Sequence, residues 1–416
     1  VVGGGGGEPP PDPEGPRFAG DPGVGNFYFG GKPDTLSSDL PPGYSSHSAG
    51  FSAWQTKMAP ETTKPMGISR LYLSGSQSAG WTGGDTSLIS TDITAGRLPH
   101  ISFKYPSGGA WGTTTTSQMN KALLFDSAWD EWMENLADKF MERAPTPIWW
   151  TFFHEPEDHR SVTGGATGYR AVQRRMKQDL DDLGVTNAAF AAGCIVAPYD
   201  YGRAYGPIDW NLWYPDWKGT YTNHPGGGAS SASNPNPVDY YLDGDPLSVV
   251  DMIGLDIYNF WNAERSKEED TATYPNGTAA ESSSTYVTFE NMWNTISGMN
   301  DFLGKPYMIA EYGVEAYHTG LYVPPGAGTW TKYTGASITP PGDAVYGTTN
   351  NNRTRSNIED MGAGFAEWNI VALEVYNYRL THDPWRLNYA DPDEIRYSAY
   401  GNVVDQPNCV VPDLTP

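Results

Sequence analysis

The sequence predicts an α/β fold, a (β/α)8 TIM barrel, from three observations. Eight short and nearly continuous apolar runs recur along the chain, amphipathic helical stripes separate several of them, and long Gly- and Trp-rich stretches fall where barrel loops would emerge. The runs are 26–29, 68–73, 100–104, 148–153, 188–196, 250–257, 307–310 and 364–368. A segment such as Pro147-Ile148-Trp149-Trp150-Thr151-Phe152-Phe153 is apolar at almost every position, as a strand buried on both faces of a parallel sheet must be.

The helical stripes are read from three- and four-residue spacing. Phe125, Trp129, Trp132, Met133, Leu136 and Phe140 form the first, between the third and fourth runs. Tyr169, Val172, Met176, Leu180 and Leu183 form the second, with Gly184 as a left-handed stop. Phe289, Met292, Trp293, Ile296, Met299 and Leu303 form the third, closed by Gly304-Lys305-Pro306. The stretches 74–97, 105–120, 197–249, 259–285 and 315–350 are read as irregular loops at the barrel rim. They carry Trp81, Trp111, Trp210, Trp213, Trp217, Trp261 and Trp330, whose flat faces suit sugar rings in a setting where core packing is a poor explanation.

A chain of 416 residues is accommodated by one barrel domain, 17–416, preceded by a Gly/Pro-rich linker over 1–16 (VVGGGGGEPPPDPEGP). Acidic residues number 49 against 26 basic, a formal charge of −23 that opposes a nucleic-acid partner. No run is long and apolar enough for membrane insertion. The two cysteines, Cys194 and Cys409, form one bridge or remain two buried thiols. Low lysine content with abundant Gly, Ser, Thr and aromatics points to an extracellular protein, secreted from a bacterium or associated with a virion, and a monomer is the default.

Cofactor chemistry finds no motif. No GxGxxG follows the first strand. An HExxH zinc site would need histidine where Asp158 stands, and Pro156 would obstruct its helix. Asp243-Gly244-Asp245 and Asp391-Pro392-Asp393-Glu394 lack the spacing of a calcium hand, so neither metal nor cofactor is expected. No Gly-x-Ser-x-Gly stands between a strand and a helix.

What remains is a pair of glutamates. Phe152-Phe153-His154-Glu155-Pro156-Glu157 ends the fourth run and Met308-Ile309-Ala310-Glu311-Tyr312-Gly313 the seventh. Parallel barrel strands all point one way, so Glu155 and Glu311 would converge on one mouth. Two carboxyls roughly 5 Å apart, one protonating a leaving oxygen and one attacking an anomeric carbon, are what retaining glycoside hydrolysis requires.

An acid after strand four and a nucleophilic Glu after strand seven resemble the large clan of retaining (β/α)8 glycoside hydrolases. His154 before the acid, where most of the clan has Asn, is similar to glycoside hydrolase family 26, which includes β-mannanases and some β-glucanases and β-xylanases. Val250-Asp251-Met252-Ile253-Gly254-Leu255-Asp256-Ile257-Tyr258 resembles that family's sixth strand and Lys305 to Gly313 its seventh. The resemblance implies Glu155 as general acid/base, Glu311 as nucleophile and Tyr258 as a hydrogen-bond donor to the nucleophile. It also implies that Trp368, in Phe365-Ala366-Glu367-Trp368-Asn369, is the floor of the subsite for the attacked sugar. His154 would orient the acid or a sugar hydroxyl, and Trp150 and Trp261 would add sugar-binding faces.

Thr151 and Pro156-Glu157-Asp158 stand where the family's mannanases carry an Arg and a Met-Asn-Gly run, and Ile101-Ser102-Phe103-Lys104-Tyr105 lacks the usual strand-three His. The resemblance therefore implies the reacting pair rather than mannan as the sugar. The expected activity is internal cleavage of a polysaccharide (β-mannan, β-glucan, β-xylan or another bacterial or plant glycan) or of its oligosaccharides. The alternative is a barrel that binds glycan without cutting it, as an adhesin or tail-fibre module.

Overall fold

The computed structural model describes residues 16–33, 46–73, 83–103, 127–152, 154, 165–196, 250–259, 305–314, 321–322, 331–332, 358, 362, 364–376 and 395–414. The linker reading over 1–15, the helix over 289–303, Glu155, Trp261 and the other loop tryptophans lie outside the described residues.

The strands are β1 (Tyr28–Lys32), β2 (Ile68–Tyr72), β3 (Leu98–Phe103), β4 (Ile148–Phe152), β5 (Ala188–Val196), β6 (Met252–Asn259), β7 (Tyr307–Val314) and β10 (Ile370–Tyr376). They close into a barrel in the order β1-β10-β7-β6-β5-β4-β3-β2, every neighbouring pair parallel. Leu321–Tyr322 (β8) and Thr331–Lys332 (β9) make a separate antiparallel pair. The described helices are α1 (His47–Met58), α2 (Gly83–Thr94), α3 (Ser127–Met141), α4 (Gly165–Asp182) and α5 (Ile395–Asp405). The expected fold class is the one observed.

Two helices follow the expected stripes. In α3, Trp129, Trp132, Met133, Leu136 and Phe140 are buried, and in α4, Val172, Met176 and Leu180 are. Gly184 ends the second with φ 81°, a conformation that favours glycine. One helix corrects the loop reading of 74–97. α2 carries few large apolar residues, and Ser90, Thr91 and Thr94 donate their hydroxyls to carbonyls four residues back. Its anchor is polar instead: buried Asp92 accepts from His47 Nε2 at 3.0 Å and pairs with Arg97 at 2.8 Å, while the same His47 nitrogen lies 3.1 Å from Ser69 on β2. That cluster ties α2 to α1 and to the barrel, where Ile89 is the one fully buried apolar side chain among the described residues of α2.

Side chains alternate across the barrel wall. One layer, including Ile68, Leu98, Trp149, Ala189, Met252, Met308 and Ala372, fills the lower lumen. Phe18 and Ala19 from the N-terminal segment, with Val410 and Leu414 from the C-terminal one, pack beneath it, and Trp149 donates its indole N–H to the Ala19 carbonyl at 2.9 Å. The base is pinned by a bridge between Phe27 and Cys409, whose thiol is free and buried.

The other face of the strands meets the helices, and here Trp150 requires a correction. It is fully buried in the outer core, stacked on Phe190 at 4.2 Å and on Phe103 at 5.9 Å. Its neighbours Trp149 and Thr151 point into the barrel, so alternation turns Trp150 to the helices and away from any sugar. Trp150→Ala is expected to destabilise the fold by about 3–5 kcal/mol through the cavity it leaves. A lowered urea midpoint with an unchanged m-value is the check.

The last strand is the second correction. Residues 364–369 form a helical turn, with Trp368 N–H on the Gly364 carbonyl at 3.0 Å and Ile370 N–H on Phe365 at 3.0 Å. Asn369, at φ 54°, reverses the chain into β10. Apolar content alone mistook this turn for a strand.

Candidate active site

The lumen changes character toward the C-terminal ends of the strands. Above the apolar layer stand Arg70 on β2, His100 and Ser102 on β3, Thr151 on β4, Asp256 on β6 and Glu374 on β10, all 0% exposed. Glu311 on β7 is 4% exposed. Buried charges persist only when paired and hydrogen-bonded, and Arg70, His100, Thr151, Glu311 and Glu374 lie against one another.

Glu311 reaches the lumen because β7 carries a bulge. Ile309 and Tyr312 both face the outer core, and two residues, Ala310 and Glu311, stand between them where β10 offers only Glu374 between Leu373 and Val375. On the β6 side, Leu255 pairs with Ile309 while the next residue, Asp256, pairs with Glu311. The extra residue re-aims Glu311 inward, a common use of bulges beside functional sites.

Two side chains from β2 hold the glutamate. Tyr72 donates its hydroxyl to Glu311 Oε1, and Arg70 Nη2 stands 3.8 Å from the same oxygen. Burial, and then the Glu311 charge, push the Tyr72 phenol well above its ordinary pKa, so it stays a donor. The Tyr72 ring also meets His154 edge-on at 5.1 Å and Tyr376, the last residue of β10, at 6.3 Å. Lys32, the last residue of β1, lies 5.4 Å from the centre of that ring. Burial and then Arg70 lower the Lys32 pKa, against the pull of Asp92 and Glu311.

The structure thus brings Glu311 and His154 to one mouth, one side chain apart. The Tyr258 backbone pairs with Gly313, two residues past Glu311 on β7. Trp368 is placed elsewhere: it precedes β10, and Asn369 accepts from Tyr307, the first residue of β7, at the base of the barrel. Four strand residues separate that level from Glu311, roughly 13 Å, and the ring packs on the outer core. Trp368 therefore does not floor a subsite at this mouth, and Tyr376 is the β10 aromatic that reaches it.

Arg70, Tyr72, His100 and Glu374 were not singled out from the sequence. Their signal is a polar side chain at every second position in the upper half of an otherwise apolar strand, as in Ile68, Arg70, Tyr72 and in Ala372, Glu374, Tyr376. Among the described residues no group of three or more His, Cys, Asp or Glu is placed to hold a metal, and no helix is long and apolar enough to cross a membrane.

No family model matches the sequence, and no curated protein matches it. Solved structures do resemble the chain at low identity. A ruminal GH26 endo-β-1,4-mannanase is 14% identical over 93% of this chain, with a TM-score of 0.46; the chain spans 65% of that protein. A family 5 xyloglucanase from Paenibacillus pabuli is 12% identical over 91% of this chain and 98% of its own, with a TM-score of 0.47. A fungal β-1,4-galactanase is 12% identical over 83% and 89%, again with a TM-score of 0.47.

Proposed function

We propose that the chain is a retaining glycoside hydrolase that cuts a polysaccharide internally, with Glu311 as nucleophile and Glu155 as general acid/base. The supporting observation is the Tyr72 bridge: its ring rests on His154, the residue before Glu155 in sequence, and its hydroxyl bonds Glu311. One carboxylate at the lumen mouth, with the sequence of a second beginning one aromatic ring away, suits an anomeric carbon held between them.

In this reading Glu311 attacks the anomeric carbon while Glu155 protonates the leaving oxygen. Glu155 then takes a proton from the water that releases the sugar. Tyr72 and Arg70 hold the attacking oxygen by a hydrogen bond and a positive charge, fixing its aim before substrate arrives. His154 orients the acid or a sugar hydroxyl, Tyr258 adds a donor near Glu311, and Lys32 and Tyr376 line the lip. Trp261 and the other loop tryptophans are the candidate sugar platforms. An extracellular site of action belongs to the same proposal.

The test is a panel of β-mannan, β-glucan and β-xylan assayed for new reducing ends, with the anomeric configuration of the first product read by proton NMR. Internal cleavage with retained configuration is expected. An inverted product would remove the nucleophilic role of Glu311, and a polymer retarded in an affinity gel but left uncut would make the chain a glycan-binding barrel.

A further inference from the structure

The phase of β1 sets Lys32 in the rim of the lumen. Tyr28 belongs to the lumen layer and Phe29 to the outer core, so alternation turns Gly30 and Lys32 inward with Tyr28. The register with β10 agrees, placing Gly30 beside Glu374 and Lys32 beside Tyr376. The Lys32 ammonium lies 5.4 Å from the centre of the Tyr72 ring, and the hydroxyl of that same ring bonds Glu311. Only a phenol ring and its contacts separate the cation from the attacking oxygen. A pyranose is as wide as a phenol ring, so a sugar seated on Glu311 reaches Lys32.

Lys32, Tyr72, His154 and Tyr376 are each partly exposed at this lip, whereas Arg70 is fully buried, 3.8 Å from Glu311 and 3.8 Å from Glu374. Of these two cations, Lys32 is the one placed to meet a ligand. Its setting says what kind. Burial is the first cause that lowers its pKa, followed by Arg70, and that burial strips water from the ammonium. A sugar hydroxyl replaces the lost water with a neutral contact, while a carboxylate replaces it with a charge-assisted hydrogen bond, roughly twice as strong. The rest of the chain limits how acidic the polymer can be. At a formal charge of −23 it repels a glycan charged on every unit, so the acid must be spaced along a neutral backbone.

We propose that Lys32 is a specificity-determining residue that pairs with the carboxylate of an acidic sugar, making the substrate a neutral glycan backbone that bears scattered uronic acid units. Such pairing narrows the substrate class of the proposed hydrolase and rests on Glu311 as the residue that meets the sugar.

Binding is measured first, because it needs no turnover. Oligosaccharides of glucuronoxylan, xanthan and glucuronomannan are each compared with the same preparation after its carboxyls are reduced to alcohols, by calorimetry on wild type, Lys32→Gln and Lys32→Met. For at least one pair the acidic member is expected to bind wild type at least about tenfold tighter than the reduced one, the scale of one charge-assisted hydrogen bond. Glutamine still donates to a hydroxyl but carries no charge, and in both variants the preference is expected to vanish. Equal binding within every pair, no binding of any acidic member, or a preference that survives in either folded variant overturns the proposal. Polygalacturonate, charged at every unit, is expected to bind more weakly than the sparsely acidic member, and tighter binding overturns the spacing.

Reducing ends released from the same pairs separate this inference from the hydrolase reading. Preferential binding without cutting leaves the pairing in place and removes the hydrolysis. Cutting of both members at equal rates, with equal binding, removes the pairing and leaves the hydrolysis.

Discussion

With Glu311 as the proposed nucleophile, Glu311→Ala is expected to lower turnover by at least about a thousandfold, some 4 kcal/mol of lost transition-state stabilisation, while the barrel remains folded. The argument is local. The bulge at Ala310–Glu311 delivers this one carboxylate to the Tyr72 hydroxyl, and alanine offers no oxygen to attack with. Glu311→Gln separates chemistry from packing, because the amide oxygen still accepts from Tyr72 and fills the same space. Both variants are expected to be inactive with circular dichroism like the wild type, and Glu155→Ala is expected to lose activity on a comparable scale. Near-normal activity in any of the three would remove that residue from the reaction.

Arg70→Met has the largest expected effect on stability. The guanidinium is 0% exposed and stands within 3.8 Å of both Glu311 and Glu374. Removing one partner of a buried ion pair strands the other, typically a loss of about 3–5 kcal/mol. Against a total stability of about 5–15 kcal/mol, that is a large share. A thermal midpoint lowered by roughly 5–10 °C and a sharp fall in turnover are expected together. The double variant Arg70→Met, Glu311→Gln tells whether the stranded charge is the cause. Stability recovers in the double variant if it is, and an additive loss would point to packing instead.

The barrel was legible because strands buried on both faces are apolar at nearly every position, and seven of the eight candidate runs overlap observed strands. The eighth failed on one residue's conformation. Phe365, Trp368 and Ile370 look continuous as letters, but Asn369 at φ 54° breaks them into a turn and a strand. α2 was missed because its Ser and Thr side chains satisfy their own helix, and its docking uses Asp92 in place of an apolar stripe.

At the mouth, Glu311 stood out because it closes an apolar run. Arg70, His100 and Glu374 did not, since one charge inside an apolar run resembles interruption rather than a lumen-facing row. The Trp150 error has the same root. Composition drew attention to an aromatic beside the mouth, while the alternation of Trp149, Trp150 and Thr151 assigned it to the helix layer.

The bulge in β7 makes the orientation of residue 311 a matter of counting. A strand one residue shorter there would leave a single inward place between Ile309 and Tyr312, where Ala310 and Glu311 now share the room opposite Glu374. Swapping Ala310 for another small residue is therefore a milder change than deleting it: the first leaves the carboxylate at its height on the strand, and the second draws it down toward the apolar layer.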